Sequence, residues 1–198
     1  MGVIGFHPSV LPANRGRHPI IWALALGLKE TASTFFFMDE DADSGDLLSQ
    51  DLISINDNDD ARTLYEKITK TALSQIEVFL PKLISGNFQK IKQNSNLSNI
   101  WRKRNQSDGL VDWRMSAKSI HNLVRALSRP YIGAGFFFGN AEVKIWKTEL
   151  VSAVYSNIEP GKVIEIECGL YPVVKCGEKA IKLIEFEPKL SLTKGAYL

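Results

Sequence analysis

Two residues in the first quarter of the chain have side chains suited to acid–base chemistry. His7 follows a short apolar run and precedes Pro8, and Asp43 lies in an acidic turn that contains Gly45. An imidazole titrates near neutral pH, and ligands of open α/β sheets bind at the carboxyl ends of strands. If the apolar run is such a strand, His7 is placed to exchange protons with a ligand, although most single loop histidines are structural.

The turn around Asp43 holds enough carboxylates to raise the alternative of a metal site. Its acidic residues are Asp39, Glu40, Asp41, Asp43 and Asp46. Calcium loops place ligands at positions one, three, five and twelve, and the twelfth position counted from Asp39 is Gln50. We therefore expect no metal, and for each carboxylate taken singly a solvated turn is the structural interpretation.

Two arginines near His7 are candidates for binding an anion. Arg15 and Arg17 flank Gly16 in the proline-bounded loop that follows the histidine. A guanidinium group matches the oxygens of phosphate or carboxylate, while a pair of surface arginines is the structural alternative. The basic run at residues 102–104 is interpreted as a solvated linker, with contact to an RNA backbone as the alternative.

The elements that must position these residues form an α/β segment over residues 1–86. Apolar runs predict strands at residues 3–6, 34–38 and 47–55 and a buried helix at residues 19–26. The first strand is expected to be buried and parallel to its neighbours. Asn58, Asp59 and Asp60 suit a helix cap and an acidic first turn, and with apolar positions at steps of three and four they predict a long amphipathic helix that ends near Gly86.

Downstream, the composition divides the chain again. Residues 87–107 are rich in Asn, Gln, Ser, Lys and Arg, which predicts a surface linker. Residues 108–198 begin with a helix capped by Ser116 and ended by Pro130, followed by a hairpin turn at residues 139–140 and short alternating strands from Ala141 onward. Several short strands at close spacing favour a small barrel, so the expected fold class is α/β plus β.

Composition limits the location and the partners. The chain has 198 residues and a net charge of +2, so no strong electrostatic attraction to nucleic acid or to membranes is implied. No apolar run is long enough to cross a bilayer and no leader is visible, so we expect a cytoplasmic protein without membrane contact. Cys168 and Cys176 lack a zinc-like spacing and are expected to be buried free thiols, with a disulfide or a metal as the alternative.

The first residues carry a further expectation. Val3 and Ile4 open the chain on an apolar strand, without the polar residues that usually precede one. We therefore expect an N-terminal portion that is not among these residues. The edge of such a strand favours pairing with a second copy, so a homodimer is one expected assembly.

Several motifs, taken together, resemble the 10-formyltetrahydrofolate-dependent formyltransferase family. They are HPSVLP at 7–12, RGRHPI at 15–20, DSGD at 43–46, DGLVDW at 108–113, SA at 116–117, IH at 120–121, LVRA at 123–126, PYIGA at 130–134 and KIW at 144–146. The resemblance covers essentially the whole chain. It implies the C-terminal half of a Rossmann-like formyltransferase domain at residues 1–86, followed by a small OB-like β-barrel domain at residues 108–198.

The resemblance also implies a catalytic set. The family uses Asn-x-His with a later Asp; His7 and Asp43 match, while Gly5 stands where the family has Asn. In formyl transfer a neutral amine attacks the formyl carbon, which creates an oxyanion and a charged nitrogen. By resemblance, His7 donates to the oxyanion or accepts the amine proton, and Asp43 holds the imidazole tautomer or relays the proton.

The ligands implied by the resemblance are a folate and an amine. The co-substrate is expected to be 10-formyltetrahydrofolate, because residues 38–42 match the loop that lines its pterin end in the family. The expected cofactor-binding residues are Asp39, Asp41 and Ala42. The expected substrate-binding residues are Ser9, Arg15, Gly16 and Arg17.

The acceptor is expected to be the primary amine of a nucleotide-linked amino sugar. Residues 15–17, followed by Ile21 and Trp22, resemble that branch of the family, and so does the segment at residues 112–117. Methionyl-tRNA is the alternative acceptor, which the weakly basic C-terminal segment disfavours. A non-catalytic, truncated relative is the second alternative, and without an upstream half we expect no turnover by this chain alone.

Overall fold

The structure, a computed structural model, describes residues 2–153 and 155–198. Contacts between Cα atoms divide the chain into two compact units. Unit 1 holds the chain up to Ala23 together with Leu28–Arg104, and unit 2 holds Leu24–Gly27 together with Asn105–Leu198. Each unit has its own sheet, covered by a long helix in unit 1 and by a shorter one in unit 2.

Unit 1 consists of short strands and one long helix. Its elements are β1 (Ile4–His7), β2 (Arg15–Gly16), α1 (Pro19–Ala25), β3 (Glu30–Phe37), β4 (Leu47–Ser54), α2 (Ala61–Ile84) and β5 (Ile100–Trp101), of which α1 extends across the division between the units. The main sheet is antiparallel in the order β1-β3-β4, and β2 pairs in parallel with β5. The predicted α1, β3, β4 and α2 are confirmed, with β3 beginning at Glu30 rather than Thr34.

The prediction of a buried parallel strand at residues 3–6 is wrong. β1 pairs antiparallel with β3, so that His7 lies opposite Thr34. It is also an edge strand of its sheet, and the side chain of Phe6 is 43% exposed. An apolar run indicates a strand but carries no information on the direction of its neighbour. Pairing of this edge with a second copy stays a prediction.

Helix α2 begins where the acidic residues predict it and lies on the sheet. Asp60 caps the first turn: its Oδ1 accepts from Thr63 N at 2.9 Å, and Thr63 Oγ1 accepts from Asp60 N at 3.0 Å. The buried residues along the helix are Ala61, Leu64, Ile68, Gln75 and Phe79. Gln75 Nε2 donates to Ser33 O at 3.1 Å and to Ser49 Oγ at 2.9 Å, which ties α2 to β3 and β4. None of the described helices, α2 included, has the length and apolar character to cross a bilayer.

Part of the predicted linker folds onto unit 1. Ile91 exchanges backbone hydrogen bonds of 2.8 and 2.9 Å with Leu47 in β4, and β5 lies beside β2. Most side chains of residues 87–104 are exposed, which fits their polar composition, but the backbone is hydrogen-bonded within the unit. The contacts divide the chain after Arg104, while the predicted domain ranges stay a prediction.

Unit 2 is built on a five-stranded antiparallel sheet. Its elements are α3 (Ala117–Ala126), β6 (Ala134–Phe138), β7 (Ala141–Val151), β8 (Val163–Glu167), β9 (Tyr171–Lys175) and β10 (Ala180–Glu187), and the strand order is β6-β7-β10-β9-β8. Helix α3 packs against β7 and β10. The cap at Ser116, the hairpin turn at residues 139–140 and the alternating strands are confirmed.

The OB-like barrel is not confirmed. Within the described part of unit 2 the sheet does not close on itself, and β6 and β8 form its two edges. Alternation along a strand specifies which face is buried, but it does not say whether the last strand returns to the first. Five short alternating strands are therefore enough to predict the sheet and not enough to predict its closure.

The two cysteines differ in their surroundings. Cys176 is fully buried, as expected, and burial raises the pKa of its thiol to about 12. Cys168 is exposed, so the expectation of a buried thiol is wrong there. It lies between β8 and β9 with a left-handed φ of 52°, in a turn that the sequence pattern did not locate. Both thiols are free.

Candidate active site

His7 ends β1, and its imidazole is enclosed by the loop that follows. The residue is 5% exposed. Its Nε2 lies 2.8 Å from the carbonyl oxygen of Asn14, and its Nδ1 lies 3.5 Å from Asp43 Oδ2. Both neighbouring oxygens are acceptors, so a proton on either ring nitrogen has a partner in place. The two contacts fix the orientation of the ring.

Asp43 reaches His7 from the acidic turn. Its φ is 56°, in the left-handed region that Asp tolerates better than most residues. Its Oδ2 accepts a hydrogen bond from Gly16 N at 2.9 Å, and the same oxygen faces His7 Nδ1. The structure thus brings together the two residues that the sequence singles out.

The turn reaches this position because Gly45 lies directly against β3. A Cβ atom on residue 45 would lie 1.7 Å from Phe37 O, so a side chain cannot be accommodated. The turn is closed by Phe37 N, which donates to Asp46 O at 2.8 Å. The glycine is needed for this backbone approach, and through it for the position of Asp43.

A residue from the predicted linker completes the arrangement. Gln93 Nε2 donates to Asp43 O at 2.9 Å and to Gly45 O at 2.7 Å. Its Oε1 accepts from Arg15 Nη2 at 2.7 Å. Sequence analysis missed Gln93, because no periodicity or motif distinguishes it from the other Asn and Gln residues of that segment.

Two of the expected substrate-binding residues are used within the protein. Arg15 is 8% exposed and points at Gln93, and its Nε has no hydrogen-bond partner among the described residues. Ser9 is buried, and its Oγ donates to Ala13 O at 3.0 Å. Both side chains therefore shape the loop after His7, and a substrate role for them stays a prediction.

The other two expected substrate-binding residues lie against β5. Gly16 has a φ of 100°, and a Cβ atom on it would lie 2.3 Å from Trp101 O, so this close approach requires glycine. Arg17 N donates to Trp101 O at 3.1 Å, and the Arg17 side chain is exposed. Of the two arginines in the loop, Arg17 is the one that presents its charge to solvent.

The basic run at residues 102–104 packs on an aromatic surface of unit 1. The guanidinium carbons of Arg102 and Arg104 lie 5.4 and 4.6 Å from the ring centroid of Trp22, and Trp22 Nε1 donates to Arg102 O at 3.1 Å. Burial and three neighbouring cations lower the pKa of His18. The run is thus attached to the surface of unit 1 with Arg102 and Lys103 still exposed, and its interpretation as a solvated linker stays a prediction.

The expected folate-binding residues lie in the exposed part of the acidic turn. Asp39, Asp41 and Ala42 are all exposed. Ser44 Oγ donates to Asp39 Oδ1 and, at 2.9 Å, to Asp41 O, so the turn is held by its own hydrogen bonds. Across residues 2–153 and 155–198, no three His, Cys, Asp or Glu side chains converge as metal ligands. The role of this turn toward folate stays a prediction.

At residue 5, where the family that the sequence resembles has Asn, neighbouring side chains fill the space that an Asn side chain would need. Gly5 lies two residues before His7 in β1, on the same face of the strand. A Cβ atom there would lie 2.7 Å from Phe36 Cζ and 3.1 Å from Met38 Cγ. Phe36 is 3% exposed and belongs to the core. An Asn at residue 5 would therefore require the Phe36 ring to move.

Family models match both parts of the chain. Residues 1–77 match the model described as formyl transferase, and residues 103–193 match the model of the formyl transferase C-terminal domain. The chain belongs to the formyl transferase family. This membership fits the pairing of His7 with Asp43 in one site.

Individual relatives are longer than this chain. It is 36% identical over 194 residues to the methionyl-tRNA formyltransferase of Caldanaerobacter subterraneus subsp. tengcongensis, covering 98% of this chain and 62% of the relative. WlaRD, a sugar 3N-formyl transferase solved in the presence of dTDP and 5-N-formyl-THF, matches with a TM-score of 0.74 at 23% identity, over 95% of this chain and 66% of that one. The N-formyltransferase of Helicobacter canadensis, solved with folinic acid and dTDP-3-aminofucose, matches with a TM-score of 0.73 at 22% identity, over 91% and 65%. At these identities the two structures establish the fold.

Proposed function

We propose that the protein transfers a formyl group from 10-formyltetrahydrofolate to a primary amine. The observation that carries the proposal is the His7–Asp43 pair, which is largely shielded from solvent and held at 3.5 Å. In the reaction the amine nitrogen attacks the formyl carbon, and the bond from that carbon to the folate nitrogen breaks. The amine loses a proton and the folate nitrogen gains one, so a residue that moves protons at neutral pH is required.

His7 is the residue placed to move that proton. Its ring is oriented by Asn14 O and Asp43 Oδ2. As the tetrahedral intermediate forms, the Nε2–H exchanges its hydrogen bond to Asn14 O for one to the oxyanion, while Asp43 Oδ2 keeps the ring aimed through Nδ1. Because Gly5 replaces the family's Asn, the second oxyanion donor is absent at that position, and more of the stabilisation falls on His7.

A formylated folate is the proposed donor. The two sugar N-formyltransferase structures were solved with 5-N-formyl-THF and with folinic acid, which supports a folate co-substrate for this chain. The pterin ring carries N–H donors, and the exposed carboxylates of Asp39 and Asp41, with the backbone of Ala42, supply acceptors beside Asp43. We propose this part of the acidic turn as the pterin-binding segment.

We also propose that the protein is located in the cytoplasm.

A nucleotide-linked amino sugar is the proposed acceptor. Residues 105–198 carry twelve Lys or Arg against ten Asp or Glu. At least five of the basic side chains form ion pairs among the described residues of unit 2. Binding of RNA relies on several cations that contact phosphates. The nearly balanced charge favours a small acceptor, whose phosphates the exposed Arg17 can contact.

Methionyl-tRNA is the second candidate acceptor. The identity of 36% to a methionyl-tRNA formyltransferase, across 98% of this chain, favours it. The cations at residues 102–104 would then contact the RNA backbone, and the affinity would fall steeply with salt.

Formylation assays on the protein from its complete open reading frame test the proposal. The donor is mixed with dTDP- or UDP-linked amino sugars and, separately, with charged initiator tRNA. We expect a formylated amino sugar and no formylmethionyl-tRNA. The opposite preference would replace the first acceptor by the second, and a folded protein that formylates neither would support the non-catalytic alternative.

The His7→Ala variant should lower kcat/KM by about 100- to 1,000-fold, because the donor to the oxyanion is lost. His121→Ala is the matched control, since that imidazole lies in unit 2, where its Nδ1 is 2.9 Å from Thr148 Oγ1. Full activity of the His7→Ala enzyme would contradict the role assigned to His7.

A further inference from the structure

We propose that Gln93 is a positioning residue for the catalytic carboxylate of Asp43; its consequence for rate rests on the proposed function. Gln93 lies in the segment that sequence composition marks as a linker. Its amide nevertheless contacts both sides of the site: Asp43 O at 2.9 Å, Gly45 O at 2.7 Å and Arg15 Nη2 at 2.7 Å. It touches neither His7 nor the carboxylate itself, so it acts on Asp43 through the backbone of the acidic turn.

The partners of Gln93 fix the orientation of its amide. The two carbonyl oxygens accept from its NH₂ group, and the guanidinium of Arg15, which has donors only, takes its oxygen. A flipped amide would face donor to donor and acceptor to acceptor at all three contacts. The side chain is therefore locked in one rotamer, and it holds its three partners at fixed distances from one another.

Asp43 depends on such a clamp because its own turn is strained and open to solvent. Its φ of 56° is unfavourable for a residue with a side chain, and residues 39–42 before it are mostly exposed. Gln93 holds the carbonyl of Asp43 and that of Gly45, on either side of Ser44. With both carbonyls fixed, the carboxylate stays between Gly16 N and His7 Nδ1.

The same amide also binds β2, on the opposite side of the site. Arg15 immediately precedes Gly16, whose N–H donates to Asp43 Oδ2. Gln93 thus joins the strand that supplies this hydrogen bond to the turn that accepts it. Removing the amide should loosen the Gly16–Asp43 hydrogen bond and the aim of Asp43 at His7, while the sheet remains folded.

Amide hydrogen exchange in the chain as it stands tests the positioning role without any activity. In Gln93→Ala the exchange of Gly16 N–H should accelerate about fivefold to tenfold, as expected for one lost hydrogen bond. The exchange of Ile145 N–H, in unit 2, should not change. Gln93→Glu keeps the oxygen for Arg15 and loses both donors, so it should behave like Gln93→Ala. Gln89→Ala, at an exposed residue of the same segment, is the matched control.

The ring nitrogens of the three histidines supply a second readout. In Gln93→Ala the ¹⁵N signals of His7 should shift toward those of Asp43→Asn, and the signals of His121 should stay unchanged. A merely structural role would lower the melting temperature and leave the His7 signals as in the wild type. The proposal would be overturned if Gln93→Ala kept wild-type exchange and wild-type His7 signals. It would also be overturned if Gln93→Glu behaved like the wild type, or if all amides were accelerated equally.

Kinetics separate this proposal from the proposed function. In the active enzyme, Gln93→Ala should lower kcat at least about tenfold and leave the KM for folate unchanged, because alignment and not binding is lost. If no formyl transfer is found while the Gly16 and His7 signals respond as expected, the proposed function fails and the positioning role stands. If transfer is found and those signals do not respond, the positioning role fails and formyl transfer stands.

Discussion

Two aspartates, one in each unit, lie in turns that depend on a close glycine contact, yet their carboxylates are held in opposite ways. Asp43 accepts a hydrogen bond from Gly16 and faces His7, and both partners are distant in sequence. Asp112 is paired with Arg114, two residues further on, whose backbone N–H and guanidinium Nε both donate to it at 2.9 Å. One carboxylate is placed by several segments of the chain and the other by its own turn.

The difference shows what a carboxylate needs for a role in a site. Hydrogen bonds from Arg114 lower the pKa of Asp112 to about 2, so this is the aspartate with the stronger partner. The pair is exposed, however, and exposed ion pairs contribute little to stability. Asp43 is oriented by a backbone donor and by a turn clamped from outside, which fixes its direction relative to a second reactive group. Fixed direction matters more for catalysis than local charge pairing does.

The largest effect on stability is expected from substitution of the two glycines, Gly45 and Gly177. A Cβ atom would lie 1.7 Å from Phe37 O at residue 45 and 1.9 Å from Arg114 O at residue 177. Gly45→Ala and Gly177→Ala should each lower the free energy of unfolding by about 3 kcal/mol, because backbone must move in both. Only Gly45→Ala should also accelerate the exchange of Gly16 N–H.

Urea denaturation measures both losses, and Gly86→Ala is the control. Gly86 has a φ of 75° but no atom within 4 Å of an added Cβ, so only conformational strain of about 1 kcal/mol is expected there. If Gly45→Ala costs no more than Gly86→Ala, then β3 does not set the position of the Asp43 turn.

A smaller effect is expected at residue 5, where the family pattern has Asn and this chain has Gly. Gly5→Asn should lower the free energy of unfolding by about 2 kcal/mol, because the new side chain overlaps the buried Phe36 ring. Combining it with Phe36→Leu should cost less than the sum of the two single variants, since the smaller side chain vacates that space. Thermal or urea unfolding of the four proteins completes the cycle, and strict additivity would show that Phe36 is not the obstacle.

The smallest effect is expected at the ion pair of Asp112 and Arg114. In the wild type the lowered pKa of Asp112 stabilises the fold above the unfolded value of about 3.9, and this contribution is lost as pH falls toward 2. Arg114→Ala should raise the pKa of Asp112 toward about 3.9 and reduce that pH dependence, part of which remains because the backbone N–H of residue 114 still donates to the carboxylate. A ¹³C titration of the carboxyl group checks the shift, with Lys147→Ala as the control for a lost charge. An unchanged Asp112 pKa would contradict the pairing.

Sequence reasoning succeeds in this protein where a feature depends on near neighbours. Asp60 and Ser116 cap their helices, Pro19 begins α1, and residues 139–140 turn a hairpin, all as predicted. Each of these features is decided within a few residues, so the local pattern contains the necessary information.

The features that sequence reasoning missed all depend on which distant segments meet. The direction of β1, the open sheet of unit 2, the attachment of residues 102–104 to Trp22 and the contacts of Gln93 are of this kind. His7 and Asp43 were found as residue types in suggestive loops, and the family resemblance paired them. The residue that clamps the site could not be found in that way, because a lone glutamine has no characteristic spacing.

The buried amide of Gln75 fixes the position and rotation of α2 on the sheet. Its NH₂ group bonds to Ser33 on one strand and Ser49 on the next, so the helix can neither slide nor rotate without breaking these two hydrogen bonds in the core. One residue inserted between Asp60 and Gln75 would rotate that amide by about 100° around the helix axis. The number of residues from the cap to the amide is therefore fixed by geometry, whereas the helix can lose or gain length after Phe79 without disturbing this anchor.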